Sequence, residues 1–218
     1  MKLFEFLHTK GLTDTSFFRA LVAIRHPRRT LNGWRMRFQK SSIFSDQEDL
    51  HACSLLPEPL LQGVMRVVHP RSVLDVGCGI GRSLEWFLRQ GVRADGLEGS
   101  TMAIAASVVP EQIKLANLNE PQNLDKNYDL VWCFEVAEHI HPDFVDIFLD
   151  TLTRHSDKIL LSAAHPGQGG TGHFNEQPRS YWIEKFRKLR FTHDDAARAE
   201  IVKEWRWYPE NIFFFRRN

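Results

Sequence analysis

The sequence predicts an α/β fold built on a mostly parallel sheet, and three observations carry that expectation. Strand-like and helix-like apolar patterns alternate from about residue 72 to the C-terminus. Such alternation calls for crossover helices that return each strand parallel to the last. The run Ser72-Val73-Leu74-Asp75-Val76 turns through glycines at 77, 79 and 81 straight into an apolar helical pattern (Ile80, Leu84, Trp86, Phe87). Finally, the 218 residues are 43% hydrophobic and 25% charged, ordinary proportions for one soluble core with helices on both faces of its sheet.

In chain order, residues 1–45 read as helical pieces broken near Gly11, His26-Pro27 and Asn32-Gly33. A capping pattern at Ser45-Asp46-Gln47-Glu48 starts a further helix, broken around Pro57 and Pro59, that runs to about Val68. This divides the chain into an N-terminal helical lid, residues 1–69, and an α/β domain, residues 70–218. The domain reads as strand 72–76, helix 81–90, strand 92–98, helix 101–108, strand 112–116, strand 128–134, helix 142–154 and strand 157–163. Helix 179–188, a short strand near 190–193, helix 194–204 and a last strand in 212–216 follow.

The net charge of +1 hides an asymmetry, because residues 1–40 hold nine Lys/Arg against two acids. Six of these are arginines, from Arg19 to Arg37, interleaved with Phe4, Phe6, Phe17, Phe18, Trp34 and Phe38. That arm suits an amphipathic lid whose cations are solvated or pair with the acidic body. It also suits a surface for anionic partners such as nucleic acid. The three cysteines, Cys53, Cys78 and Cys133, form no CxxC pair, which predicts a reduced, cytoplasmic protein without a thiolate zinc site. No apolar run reaches the ~20 residues that span a bilayer, and the N-terminus lacks the pattern of a secretory signal.

The glycine turn is a ligand cradle: glycines let the backbone approach a ligand, and the helix N-terminus behind them offers unpaired N–H groups. Dinucleotide sites need G-x-G-x-x-G, but Arg82 stands where the third glycine belongs. No Gly-Lys-Ser/Thr follows, which excludes a P-loop. Roughly twenty residues on, the second strand ends in Glu98, where a carboxylate can accept both hydroxyls of a ribose.

Val73-Leu74-Asp75-Val76-Gly77-Cys78-Gly79-Ile80-Gly81, then Glu98, then the stretch from Tyr128 through Glu135, Glu138 and His139 resembles the class I S-adenosylmethionine-dependent methyltransferases over roughly residues 70–218. The resemblance implies a Rossmann-like, seven-stranded sheet with an antiparallel last strand, and S-adenosylmethionine as cofactor. It implies cofactor contacts at Asp75, Gly77, Cys78, Gly79, Gly81, Glu98, Gly99, Asn117, Leu118, Phe134 and Glu135. Asp75 would orient the cofactor's amino-acid end; Asn117 is equally a turn residue.

Glu135, Glu138 and His139 stand at i, i+3, i+4. On one helical turn they would converge and could hold Mg²⁺ or another divalent cation. The stretch resembles the metal motif of two methyltransferase subfamilies, one acting on catechol-like quinone precursors and one on the terminal 2′-hydroxyl of small RNAs. The second subfamily also takes a histidine ligand after strand five. His173 holds that place here, and His165 competes with it. Without a metal, His139, His165 or His173 would serve as general base. The stretch from Gly167 to Gly172 predicts a mobile loop over the acceptor, with Tyr181 and Trp182 behind it and Trp182 in the core. The expected acceptor is a hydroxylated small molecule or saccharide. RNA, or a regulatory role without catalysis, are the alternatives.

Overall fold

The computed structural model describes residues 55–218. The expectations for the basic arm, the capping pattern at Ser45 and Cys53 lie outside these residues. An N-terminal helix α1 (Glu58–Val68) precedes strand β1 (Ser72–Val76), helix α2 (Arg82–Arg89), strand β2 (Arg93–Glu98) and a short helix α3 (Thr101–Ala105). Then come β3 (Ile113–Leu115), β4 (Leu130–Cys133), α4 (Val145–His155), β5 (Lys158–Ser162), α5 (Arg179–Lys188), β6 (Phe191–His193), α6 (Asp195–Ile201) and β7 (Ile212–Arg217). The seven strands form one sheet in the order β3-β2-β1-β4-β5-β7-β6. The first five are parallel, and β7 runs antiparallel to both β5 and β6.

Period-two alternation in the strands builds the two halves of the core. Leu74, Val76, Val131, Cys133, Phe213 and Phe215 pack on the side of Phe148, Leu149, Leu152, Trp182 and Phe186, from α4 and α5. Val73, Leu130, Trp132, Ile212 and Phe214 pack on the other side, with Leu60, Leu61 and Val64 of α1, Leu84 and Phe87 of α2, and Ile201 of α6. Both faces are covered, so the strands read as continuous apolar runs. Trp182 is fully buried, as its pattern predicts. Helices α1 and α6 touch through backbone: a Cβ on Gly63 would lie 2.0 Å from the Ile201 carbonyl oxygen.

Several expected elements are shorter, for local reasons. Ser100 Oγ accepts from Ala103 N–H (3.1 Å) and caps α3, but the helix ends at Ala105, ahead of Val108-Val109-Pro110. The expected helix 142–154 begins as a 3₁₀ turn, Pro142–Phe144. The helix foreseen over 194–204 closes at Ile201. Among the described residues, no helix is long and apolar enough to cross a membrane.

Strand order reverses between β1, which leads outward to β2 and β3, and β4, which leads to β5. In such sheets the ligand crevice lies beyond the carboxyl ends of the strands at that reversal. The glycine turn after β1 and the Glu135–His139 stretch after β4 therefore sit on opposite banks of one crevice.

Candidate functional site

On the first bank, Leu97 O accepts from Gly77 N–H (2.8 Å) and Cys78 N–H (3.2 Å), which anchors the glycine turn to the end of β2. Gly77 and Gly79 both have left-handed φ, +77° and +57°. A Cβ on Gly77 would come 2.4 Å from Val136 Cγ2, whereas one on Gly79 would meet nothing within 4 Å. The turn is thus tight against the opposite bank at Gly77 and open at Gly79, the form of a cradle that a ligand can enter. Beneath it, Gly96 makes room for the Cys78 sulfur, which a Cβ there would approach to 2.8 Å.

Glu98 binds this turn from below. Its Oε2 accepts from Gly79 N–H (2.8 Å) and its Oε1 from Ser100 N–H (2.8 Å). Burial raises its carboxyl pKa although those donors pull it down. Asp75 is 2% exposed, and its Oδ2 has no hydrogen-bond partner. Burial, then the negative charge of Glu98, hold its pKa well above the carboxylate range. A buried acceptor without a donor is costly. A pair of acids beside an open glycine turn fits a ligand that brings hydroxyl and ammonium donors, as S-adenosylmethionine does.

Asn117, Leu118 and Phe134, which the resemblance implies as cofactor contacts, lie at the ends of β3 and β4 and make contacts of their own. Asn117 Oδ1 accepts from Asn119 N–H (3.0 Å), so Asn117 shapes the turn after β3. Leu118 packs against the core at that corner. Phe134 stacks on Trp132 (5.8 Å between centroids) and meets Trp205 edge-on (5.9 Å).

On the second bank the helical turn expected from Glu135 is absent. Glu135 itself has φ +57°, and only Ala137–His139 form a 3₁₀ turn. A left-handed non-glycine residue stores strain and needs a surrounding that fixes it. Ser162 at the end of β5 supplies this: its Oγ accepts from Glu135 N–H (2.5 Å) and donates to Glu135 Oε1 (2.7 Å). The side chains that converge are Glu138, His139 and His173, each offering a ligand atom within 4.8 Å of the others. Glu135 stands beside the three, with Ser162 on its carboxylate.

Backbone contacts draw this cluster together. The Glu138 carbonyl accepts from both Phe174 N–H (2.9 Å) and Asn175 N–H (3.0 Å). His139 Nδ1–H donates to Gly172 O (3.0 Å), and His173 Nδ1–H donates to Glu176 Oε1 (2.9 Å). Each ring thereby keeps Nε2 as a free lone pair, the arrangement by which outer carbonyls and carboxylates orient metal-binding histidines. Burial lowers the His139 pKa to about 4, so the ring is a neutral donor at pH 7. Glu138 is fully buried with neither carboxylate oxygen hydrogen-bonded. Burial first, then the nearby Glu135, push its pKa up to about 8. One carboxylate without a protein hydrogen-bond partner, beside two imidazoles whose Nε2 atoms stay free, fits a divalent cation.

Glu176 was not foreseen as a site residue. It also accepts from Gly167 N–H (2.8 Å) and Gly169 N–H (2.7 Å), so the glycine-rich loop is pinned rather than loose. Gly170 leaves space for the His173 ring, whose Nε2 would lie 2.4 Å from a Cβ at that position. For Glu176, the spacing of three residues after His173 was the available signal. His165 lies outside the cluster, its Nδ1 3.2 Å from Asn211 Oδ1.

A glycine turn closed by an acid at the second strand, in a sheet of this order, defines a nucleoside-cofactor enzyme of the Rossmann-like class. The sequence profile of the methyltransferase domain matches residues 25–195, and the chain belongs to that family, as a class I S-adenosylmethionine-dependent methyltransferase. The ubiquinone biosynthesis O-methyltransferase of Yersinia pestis (strain Pestoides F) is 32% identical over 84 residues, 35% of this chain and 34% of that protein. The chain thus spans about a third of the length of the curated relatives it matches. The sugar N-methyltransferase KedS8 from Streptoalloteichus sp. ATCC 53650 superimposes with TM-score 0.61 at 15% identity, covering 81% of this chain and 96% of that one. The methyltransferase domain of bacterial CtHen1-C gives TM-score 0.55 at 16% identity over 74% and 97%. At these identities the structural likeness shows the fold alone.

Proposed function

We propose that the protein transfers a methyl group to an oxygen of a hydroxylated small molecule or saccharide bearing adjacent hydroxyls, with a divalent cation at Glu138, His139 and His173. The observation that carries this reading is Glu138: a fully buried carboxylate with both oxygens unpartnered, beside two histidines whose Nδ1 atoms are already engaged. Such a group is stable as an anion only beside a cation. When bound, the cation would lower the pKa of a coordinated hydroxyl, and the sulfonium of S-adenosylmethionine supplies an activated methyl group.

The chain's own residues do the rest. Glu98 and Asp75 would take the cofactor's ribose hydroxyls and its amino-acid end, and Gly79 leaves the space above them. Ser162 holds Glu135 rigid beside Glu138, and Glu176 fixes the loop that carries His173. Positioning of this kind is the main task left to the protein when the donor is already activated. The ubiquinone-pathway relative, an O-methyltransferase by name, supports oxygen as the methylated atom. A terminal ribose of RNA is also a vicinal diol and would meet the same chemistry.

The test is transfer of labelled methyl from S-adenosylmethionine to a panel of 3,4-dihydroxybenzoate, simple polyols and a short RNA with a free 2′,3′-diol, with Mn²⁺ present. Methylation of a diol acceptor, but not of its mono-deoxy analogue, supports the reading. Methylation confined to nitrogen acceptors contradicts it. Binding to the RNA that weakens steeply with salt, and that is lost with residues 1–40, would shift the acceptor class to nucleic acid.

A further inference from the structure

The three histidines that follow the carboxyl ends of β4 and β5 are not equivalent. His139 and His173 each offer a ligand atom within 4.8 Å of Glu138, while His165 after β5 is held by a different set of contacts. Gln168 Oε1 accepts from His165 backbone N–H (3.3 Å), which only an oxygen can do, and so the Gln168 amide is oriented. The same oxygen faces Asn211 Nδ2 (2.7 Å), which must donate to it. That orients the Asn211 amide in turn and directs its Oδ1 at His165 Nδ1 (3.2 Å). An amide oxygen only accepts, so His165 carries its proton on Nδ1 and its lone pair on Nε2, which makes no hydrogen bond among the described residues.

Asn211 is itself built in. It is 2% exposed, and its carbonyl accepts from Ala163 N–H (3.1 Å). The 3₁₀ turn Pro209–Asn211 is gripped by two arginines. Arg179 donates to the carbonyls of Glu210 and Ile212, and Arg198 to those of Pro209 and Ile212. Two half-buried guanidiniums on one turn repel each other, and burial together with that proximity lowers the Arg179 pKa. Their shared hold on backbone carbonyls fixes the turn that presents Asn211 to His165.

We propose that His165 is the general base of the reaction and that Asn211 is the positioning residue that fixes its tautomer. The inference rests on the O-methyl transfer reading above. In the step, the acceptor oxygen's electron pair forms the bond to the methyl carbon while the carbon–sulfur pair departs with the sulfur. The hydroxyl proton passes to His165 Nε2, and the imidazolium's remaining proton stays on Nδ1, bonded to Asn211 Oδ1.

Two readouts test this on the full chain. Two-bond ¹H–¹⁵N correlation of the histidine rings, with His165 assigned by its loss in His165→Gln, reports the tautomer without any turnover. The wild type should show Nδ1–H. Asn211→Asp, which keeps an acceptor oxygen, should retain it; Asn211→Leu should revert to the Nε2–H form that free imidazole prefers. An Nε2–H ring in the wild type overturns the proposal. On whichever of 3,4-dihydroxybenzoate, the polyols or RNA is methylated, His165→Gln should lower kcat about 100-fold or more. Acceptor KM and S-adenosylmethionine Kd should stay within about threefold. Asn211→Leu should lower kcat about tenfold, and Asn211→Asp should restore most of it. Unchanged kcat in His165→Gln overturns the base role. If the cofactor binds and no oxygen acceptor is methylated, the base role falls together with the reading it rests on. A wild-type Nδ1–H ring in that case marks the failure as one of reaction class, not of the hydrogen-bond network.

Discussion

Gly77→Ala is the most informative single perturbation, because it presses one bank of the crevice against the other. The native φ of +77° is one that an alanine adopts at a cost of roughly 1–2 kcal/mol. The new Cβ would also stand 2.4 Å from Val136 Cγ2 and 3.1 Å from its Cγ1, and overpacking of that kind costs about 1–3 kcal/mol. The turn cannot slide away freely, since Gly77 and Cys78 are both bonded to Leu97 O. The total is about 2–5 kcal/mol, of which Val136→Ala should remove the steric part and leave the backbone part. The double variant should therefore be more stable than the sum of the single changes predicts, with a coupling of about 1–2 kcal/mol. Chemical denaturation of the three variants measures this, and calorimetry with S-adenosylmethionine should show weakened binding in Gly77→Ala that is partly recovered in the pair. Additivity within about 0.5 kcal/mol would refute the contact between the banks.

Glu138→Gln should abolish Mn²⁺ binding measured by calorimetry while S-adenosylmethionine affinity stays within about threefold, and Glu176→Gln should weaken Mn²⁺ by about 10–100-fold through its hold on His173. Gly63→Ala should lower the Tm by about 5–10 °C, since overpacking of a few kcal/mol in a chain of this size translates to that shift. The Asp194 carboxylate accepts from Ala197 N–H (2.9 Å) and from Arg216 Nε (2.7 Å), and these hold its pKa below the carboxylate norm. A depressed folded pKa contributes stability above the ordinary carboxylate range and loses it as pH falls through the folded value. Asp194→Ala should therefore cost about 1 kcal/mol at pH 7 and progressively less in acid, read by denaturation at a series of pH values.

Most of the scaffold was legible because its signals are local. The apolar runs of β1, β4 and β5, the glycines at 77, 79 and 81, and Glu98 each declare their place in the fold within a few residues, and the strands and the turn stand where the sequence predicts them. The spacing of Glu135, Glu138 and His139 was legible too, but its geometry was not. Helical periodicity cannot reveal that Glu135 is left-handed, because Ser162, 27 residues on, holds it there. Asn211 is hidden for the same reason, because the fold brings His165 and Gln168 to it from more than forty residues away. Glu176 is different: its partners His173, Gly167 and Gly169 are close in sequence, but the spacing from His173 is the only local sign of its role. Composition alone predicts a mobile stretch from Gly167. Hydrogen bonds from the Gly167 and Gly169 N–H groups to the Glu176 carboxylate restrain it, and composition does not report such contacts.

The most direct measurement is methyl transfer to a vicinal-diol acceptor before chelation, after EDTA, and after Mn²⁺ is restored, with cofactor binding followed in parallel. The reading of Glu138, His139 and His173 as a cation site predicts that turnover is lost in EDTA and returns with Mn²⁺, while S-adenosylmethionine binds throughout. Turnover that persists undiminished in excess chelator would contradict it.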